Sequence, residues 1–352
     1  MTLERSLTVA AKEFSDLFTS RRFLLIFALY LIIAVVGMAQ GLERYDYALI
    51  SYNDALQAAD EYRALQELGA SWLEMPGKPS ILYVFSPMTG ATMMLGAILA
   101  IAAGFDQVTR EKESRSLKTL LSHPVYRDEV IVGKALGGAA ALGVVVGLVL
   151  AVITAVLLVL SIVPTAAEVV SILLFGAISL LFLIAWFTVA LAFSTVVRES
   201  GNALIFTLVV LFVVSSLLPV IGAAVGGLVA GPPPQPPETP AGETPAVQEM
   251  TFTDVSNATG SYVVDSPRHE ALKEYREERA AYTEKKRIVT DVITLLSPQE
   301  SYQAVADLVS TPGEGPLLES LGSVWAGIAG LIVFPSVFFA AAYMRFMRTD
   351  IR

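Results

Sequence analysis

Six long apolar runs divide this chain and constrain its fold more than any other feature of the sequence. They are Phe23–Ala39, Met88–Phe105, Ala135–Val163, Val169–Val197, Ala203–Ala230 and Val324–Met344. A helix needs about 20 apolar residues to cross the hydrocarbon core of a bilayer. Because a spanning segment must satisfy its own backbone polar groups within lipid, runs of this length are helices. The runs therefore predict an all-α integral membrane protein with six transmembrane helices.

The composition and the first apolar run leave two alternatives to weigh. Charged residues make up 16% of the chain, against about 25% in soluble domains, so buried helices of a large soluble core fit poorly. Gly37-Met38-Ala39 could end a cleaved signal peptide. However, the preceding apolar stretch is longer than a usual signal core and follows a mixture of acids and bases, which favours a retained span.

The basic residues predict the orientation of the spans. Segments 1–22, 106–134, 198–202 and 345–352 hold 14 of the 24 Lys and Arg residues in 64 positions. The other loops hold ten in 146 positions. The excess of Lys and Arg in cytoplasmic loops then places both termini in the cytoplasm.

Residues 1–22 are expected to form a cytoplasmic amphipathic helix that lies at the membrane interface. Apolar residues recur at three- and four-residue steps, at Leu3, Leu7, Ala10, Phe14 and Phe18. The charged residues fall on the other side, at Glu4, Arg5, Lys12, Glu13 and Asp16. This pattern is typical of a helix lying in the interface, although an ordinary solvated lead-in remains an alternative.

The rest of the chain divides around the spans, and its outer loops are expected to be helical. Residues 23–230 hold spans one to five, with an outer loop at 41–87 that contains a predicted helix, Tyr45–Leu68. Residues 231–322 begin with a Pro-rich linker. Ser266-Pro267 then starts a helix of about 30 residues, and Ser297–Glu300 is a capping box for a short helix to Val309. Residues 323–352 hold span six and a cytoplasmic tail.

The sequence lacks the patterns that carry chemistry. It has no cysteine, and its histidines, His123 and His269, are predicted on opposite sides of the membrane. No HExxH, GxSxG or GxxxxGK[ST] motif occurs. We therefore expect no catalytic residue, no metal site, no nucleic-acid partner and no ATPase site in this chain. Asn257-Ala258-Thr259 is a possible glycosylation site or a chance match.

Small residues recur at a spacing that lets helices approach closely. Gly133/Gly137, Gly143/Gly147 and Gly222/Gly226 are three GxxxG pairs. Packing within the chain and a dimer face are both compatible with them.

A charged island, residues 106–134, separates the second apolar run from the third. It reads DQVTREKESRSLKTLLSHPVYRDEVIVGK and holds six of the 24 Lys and Arg residues. The positive charge predicts a cytoplasmic location. A short, charged, partly helical loop of this kind is where another protein would dock on a membrane protein.

This island resembles the signature of ABC-2-type permeases, the membrane subunits of ATP-binding-cassette exporters. The matching positions are Glu111-Lys112-Glu113, Ser116-Leu117, Leu120-Leu121, Pro124-Val125, Arg127 and Gly133-Lys134. Arg115 stands where the family usually has glycine. The whole chain is most similar to the branch that holds permeases for copper-enzyme maturation and for sodium or drug export.

The resemblance implies a homodimer or paired permease that binds a separate cytoplasmic P-loop ATPase in the plasma membrane. ATP and magnesium would belong to that partner, so this chain needs no cofactor. Residues implied to couple to the ATPase are Glu111, Glu113, Leu117, Leu120, Leu121, Pro124, Arg127 and Lys134. We expect Glu111→Ala with Glu113→Ala to uncouple transport without unfolding the spans.

Two questions stay open at this stage. The transported substrate is not indicated, although the absence of cysteine and scarcity of histidine disfavour direct copper handling. The alternative function is a non-transporting membrane anchor or sensor whose outer helices bind a partner.

Overall fold

A computed structural model describes residues 3–59, 78–114, 126–235, 267–310 and 321–348. The described residues are helical, with no strand among them. Six helical segments are long and apolar enough to cross a membrane, which confirms the predicted number of spans. Spans 1 to 6 are Arg21–Gln57, Ile81–Glu113, Arg127–Val159, Ala166–Val196, Ser200–Ala230 and Trp325–Met347. Three further helices are Leu3–Thr19 (the amino-terminal helix), Pro267–Leu296 (the outer helix) and Pro298–Ser310 (the short helix).

The amino-terminal helix and span 1 are separated by one residue. Ser20 has an extended backbone with φ −73° and ψ 116°. Span 1 then continues for 37 residues, so residues 45–57 extend the same helix instead of starting the new one predicted at Tyr45. The remainder of that predicted helix, residues 60–68, lies outside the described residues. Gly41 lets this helix approach the backbone of Val84, with which any added Cβ would collide.

Span 2 is a series of short helical pieces rather than one regular helix. It contains the 3₁₀ turn Ile81–Phe85, the α-helices Ser86–Ala91 and Ala97–Gly104, and the π-helical turn Thr92–Gly96. A turn at residues 105–108 precedes the helical turn Thr109–Glu113. Single π-helical turns of this kind are often found at functional sites.

Span 4 lies at the centre of the core. It packs against spans 2, 3, 5 and 6 and against the short helix. Phe187 is 1% exposed; Gly138 of span 3 lies against its ring, and Gly104 of span 2 lies against its backbone carbonyl oxygen. The spans therefore close around aromatic side chains, and glycine provides the space for them.

The predicted short helix after Ser297 is confirmed, and its start has the expected capping hydrogen bond. Ser297 Oγ accepts from the Glu300 amide at 3.3 Å. The helix packs against spans 2, 4 and 6, and its Tyr302 is fully buried. This loop segment thus contributes to the same core as the spans.

The described chain forms two compact units, one of Met1–Leu218 with Thr294–Arg352 and one of Pro219–Ile293. The second unit holds the end of span 5 and most of the outer helix. Within it, Gly222 lies against Ile293, and Gly226 lies 3.2 Å, by its added Cβ, from Lys286 Cγ. This GxxxG pair therefore packs a helix of the same chain.

Candidate functional site

The end of the spans that lies next to the amino-terminal helix is named the inner end. There a fully buried lysine connects three helical elements. Lys134 is 1% exposed, and its Nζ donates to Glu13 Oε1 and to Glu111 Oε1, each at 2.7 Å. Glu13 belongs to the amino-terminal helix, Glu111 to the last turn of span 2, and Lys134 to span 3. A buried ammonium is tolerated only when it is paired and hydrogen-bonded, so these three residues stabilise one another.

The sequence around Lys134 explains why the amino-terminal helix comes so close. A Cβ added at Gly133 would lie 2.6 Å from Val9 Cβ, and one added at Gly137 would lie 2.6 Å from the Ala10 carbonyl oxygen. Any larger side chain would push the helix away. The amino-terminal helix therefore packs directly on the Gly133/Gly137 pair, and this close packing brings Glu13 to Lys134.

A more exposed ring of charges surrounds the buried lysine. Lys12 Nζ lies 3.3 Å from Glu13, 3.5 Å from Asp16 and 3.7 Å from Glu111. Arg110 lies 3.5 Å from Asp16. We name Lys12, Glu13, Asp16, Arg110, Glu111 and Lys134 the charge cluster; its three cations balance its three anions.

Two features of the cluster have electrostatic consequences. Burial by itself would raise the pKa of Glu13, but the ammonium groups of Lys134 and Lys12 outweigh it and hold that pKa below its ordinary value. The second carboxylate oxygen of Glu111 is buried and has no hydrogen-bond partner in the described part of the chain. Removing Lys134 would therefore leave two buried carboxylates with only the half-exposed Lys12 beside them.

Lys112 connects the same helical turn to the end of span 4. Its Nζ donates to the carbonyl oxygens of Ser194, Thr195 and Val197 at 3.1, 2.7 and 3.0 Å. A cation at this position satisfies the carbonyls that a helix leaves unpaired at its carboxyl end and complements the helix dipole. Ser194 Oγ in turn accepts from the amides of Val108 and Thr109.

Glu113 connects the turn to the start of span 5. Its carboxylate accepts a hydrogen bond from the Ser200 amide, the first residue of that span. A carboxylate here satisfies an unpaired amide at a helix amino terminus. Of these three consecutive residues, Glu111 thus binds the amino-terminal helix and span 3, Lys112 binds span 4, and Glu113 binds span 5.

The comparison with protein families now bears on this arrangement. The family model described as ABC-2 family transporter protein matches residues 7–351. The chain belongs to the ABC-2 transporter family. Members of this family are transmembrane components of ABC exporters that lack the ATP-binding cassette. No curated protein sequence matches the chain significantly.

The structure of this ABC-2 permease places only part of the predicted coupling set. Glu111 and Lys134 are 8% and 1% exposed, whereas Glu113 is exposed. Arg127 Nη1 donates to the Met347 carbonyl oxygen at the end of span 6, at 3.3 Å. Leu117, Leu120, Leu121 and Pro124 lie outside the described residues, and coupling by any member of the set stays a prediction.

The carboxyl end of the island, which was predicted to be partly helical, lies in a helix. Span 3 begins at Arg127, so Lys134 lies inside the helix and not in a loop. The prediction ended the island after the last charged residue because charges are costly within lipid. The pairing of Lys134 with two carboxylates offsets the cost of burying its charge in the helix.

The faces of the amino-terminal helix also differ from the predicted pattern. Its buried face consists of Ser6, Ala10, Glu13 and Leu17, while Leu7 is 53% exposed. Phe14 and Phe18 are partly buried and contact each other, with ring centroids 4.9 Å apart. The side chain of Leu3 lies outside the described residues. Glu13, predicted on the side opposite the apolar residues, is buried instead because it pairs with the buried Lys134.

A second polar cluster lies deeper in the permease core, beside the π-helical turn of span 2. Tyr30 and Thr92 hydroxyls are 2.9 Å apart, and Ser179 and Tyr302 hydroxyls are 3.0 Å apart. The first pair joins span 1 to span 2, and the second joins span 4 to the short helix. Within the described ranges, no group of three or more His, Asp or Glu side chains is placed to hold a metal ion.

Proposed function

We propose that this chain is the permease subunit of an exporter driven by ATP hydrolysis in a separate cytoplasmic ATPase. Family membership supports a membrane component of an ABC exporter. The sequence contains no GxxxxGK[ST] phosphate loop of its own. In this proposal the ATPase that binds ATP and magnesium is a separate chain that acts on the permease.

The observation that carries the proposal is the set of bonds made by residues 111–113. These residues directly precede the predicted docking loop, and they bind the amino-terminal helix and spans 3, 4 and 5. Arg127, close to where the chain re-enters the membrane, binds the end of span 6. A displacement of the loop would therefore be transmitted to most of the bundle at once.

We assign docking and transmission to different residues of the island. Leu117, Leu120, Leu121 and Pro124 would contact the ATPase through their apolar side chains. Glu111 and Lys134 are too buried to touch a soluble partner and would transmit the movement instead. Under this assignment the inner end lies in the cytoplasm with both termini, as the distribution of basic residues predicts, and two permease chains pair in the plasma membrane.

Affinity purification of the chain from its native membranes tests the docking assignment. We expect a stoichiometric P-loop ATPase to copurify, identified by mass spectrometry, and to be lost when Leu117, Leu120 and Leu121 are replaced by serine. The matched control is Ile288→Ser with Val292→Ser, two exposed apolar residues of the outer helix, which should keep the ATPase. Retention by the loop variant would contradict the docking role.

The second candidate function, a membrane anchor or sensor, has one observation in its favour. Ile288 and Val292 are 62% and 52% exposed and lie one turn apart on the outer helix. Such a pair could contact a partner outside the membrane. ATP-dependent transport into vesicles that contain the permease and its ATPase would exclude a purely sensory role, whereas copurification with outer proteins alone would favour it.

A further inference from the structure

The amino-terminal helix and spans 1, 2 and 5 surround a cavity at the inner end. Its volume is about 580 Å³, within the range of roughly 300–1,000 Å³ that is usual for ligand pockets. Glu13, Asp16 and Arg110 of the charge cluster form part of its lining, and the cavity extends from them between apolar side chains of the spans. Its apolar lining is Leu25, Ile26, Ile98, Ile101, Leu204 and Leu208.

Polar and apolar residues lie at opposite ends of this cavity. Arg22 is at the first turn of span 1, and Leu25 and Ile26 follow one turn further into the span. Asp106 and Gln107 lie at the inner end of span 2, two turns beyond Ile98. The cavity is thus polar at the level where a lipid headgroup lies and apolar at the level of the acyl chains.

The cavity also opens toward the surrounding lipid. Leu25 of span 1 is 68% exposed and Leu208 of span 5 is 39% exposed, although both line it. An amphiphile can therefore enter sideways from the leaflet without its chain leaving the hydrocarbon.

The polar end presents groups that remain to be satisfied. Gln107 is 7% exposed; its Nε2 donates to the Ala103 carbonyl oxygen at 3.0 Å, and its Oε1 has no hydrogen-bond partner among the described residues. Among the described residues, neither Arg22 nor Asp106 forms an ion pair within 4.0 Å. Asp106 accepts a hydrogen bond from its own backbone amide and interacts at longer range with Arg110, Arg22 and Lys134. A fitting ligand supplies an anion for the guanidinium and an N–H donor for the two acceptors.

We propose that this cavity binds a phospholipid with an ethanolamine headgroup from the leaflet at the inner end. The phosphate pairs with Arg22, and the primary ammonium donates to Gln107 Oε1 and Asp106. A choline headgroup has no N–H to donate, and a glycerol headgroup has no cation for Asp106. The proposal does not require that the lipid be transported, so it stands apart from the proposed function.

Native mass spectrometry of the delipidated, detergent-purified chain tests this lipid preference. Phosphatidylethanolamine, phosphatidylcholine and phosphatidylglycerol of identical acyl chains are titrated separately, with phosphoethanolamine as the probe for a headgroup without chains. We expect about tenfold tighter binding of phosphatidylethanolamine, the value of one charge-assisted hydrogen bond to a buried acceptor. Equal binding of the three lipids, or equally tight binding of phosphoethanolamine, would overturn the proposal.

Three variants locate the site. Gln107→Met keeps the side-chain volume but removes the acceptor, and it should abolish the preference for ethanolamine over choline. Arg22→Gln should weaken both of these lipids, whereas Arg21→Gln, an exposed neighbour outside the lining, should change neither. The comparison of the three lipids uses the unaltered chain, and Arg22 is exposed, so Arg22→Gln should fold. These two measurements therefore test the proposal even if Gln107→Met misfolds. A preference that survives both Gln107→Met and Arg22→Gln would refute this location.

Discussion

Replacing Lys134 by methionine is the sharpest test of the charge cluster. Methionine nearly fills the space of the lysine stem but removes the ammonium that both Glu13 Oε1 and Glu111 Oε1 contact at 2.7 Å. Two carboxylates then remain buried in contact with the amino-terminal helix and span 3. Either one of the two carboxylates takes up a proton, or the amino-terminal helix moves away from the Gly133/Gly137 pair.

The expected cost follows from the burial of the three residues. Breaking a buried ion pair by removing one partner costs about 3–5 kcal/mol. Lys12 still lies 3.3 Å from Glu13 and 3.7 Å from Glu111, but a half-exposed lysine contributes only about 0–1 kcal/mol. We therefore expect Lys134→Met to lower the free energy of unfolding by about 3 kcal/mol, roughly a hundredfold in the folded-to-unfolded ratio.

The free energy of unfolding can be measured by titration with sodium dodecyl sulfate in mixed micelles, followed by circular dichroism. Lys12→Met is the matched control, the same substitution in the same cluster at a half-exposed position, and should cost less than about 1 kcal/mol. The triple variant Glu13→Gln, Glu111→Gln, Lys134→Met should recover much of the loss because it leaves no buried charge. The reasoning is refuted if Lys134→Met costs no more than Lys12→Met.

Three further predictions concern the contacts around this cluster. Gly137→Val should displace the amino-terminal helix, because its added Cβ meets the Ala10 carbonyl oxygen at 2.6 Å, and hydrogen exchange at residues 3–19 should become faster. The control Gly147→Val, whose added Cβ has nothing within 4 Å, should leave that exchange unchanged. Equal exchange in the two variants would contradict the packing. The lowered pKa of Glu13, set by its lysine partners against the effect of burial, contributes stability that is fully present above about pH 4.5 and is lost as the pH falls through the lowered value. Glu13→Gln should therefore flatten the pH dependence of unfolding below pH 4.5, and an unchanged slope would count against the pairing. Lys112→Met should speed exchange at the end of span 4, since three carbonyl oxygens lose their donor, while the exposed Lys285→Met should have no effect there; identical exchange in the two variants would show that Lys112 does not cap span 4.

The number and approximate position of the spans followed from run length alone, because the cost of apolar groups in water and of unpaired backbone in lipid leaves few alternatives. The glycine spacing at Gly133/Gly137 also predicted a close helix approach. It could not identify the approaching helix, since packing within the chain and dimerisation require the same small residues. The structure assigns this role to the amino-terminal helix.

The contacts of Lys134 could not be predicted from local pattern. Its two acceptors lie 121 and 23 residues away along the chain, so neither follows from helical periodicity. A charged residue beside an apolar run is most simply interpreted as the end of a span. The pairing across three elements explains how the helix can continue past Lys134. In the sequence, only the adjacent glycines indicated a close contact at this position.

The unbroken length of span 1 has a mechanical consequence. A helix of 37 residues is about 55 Å long at 1.5 Å per residue, whereas the hydrocarbon core is about 30 Å thick. The helix therefore acts as a lever whose inner end begins next to the single extended residue Ser20. A tilt of about 5° about that point would move the far tip by about 5 Å over such a length. A small rotation of span 1 at one face of the membrane would thus produce a larger displacement of the first outer loop at the opposite face.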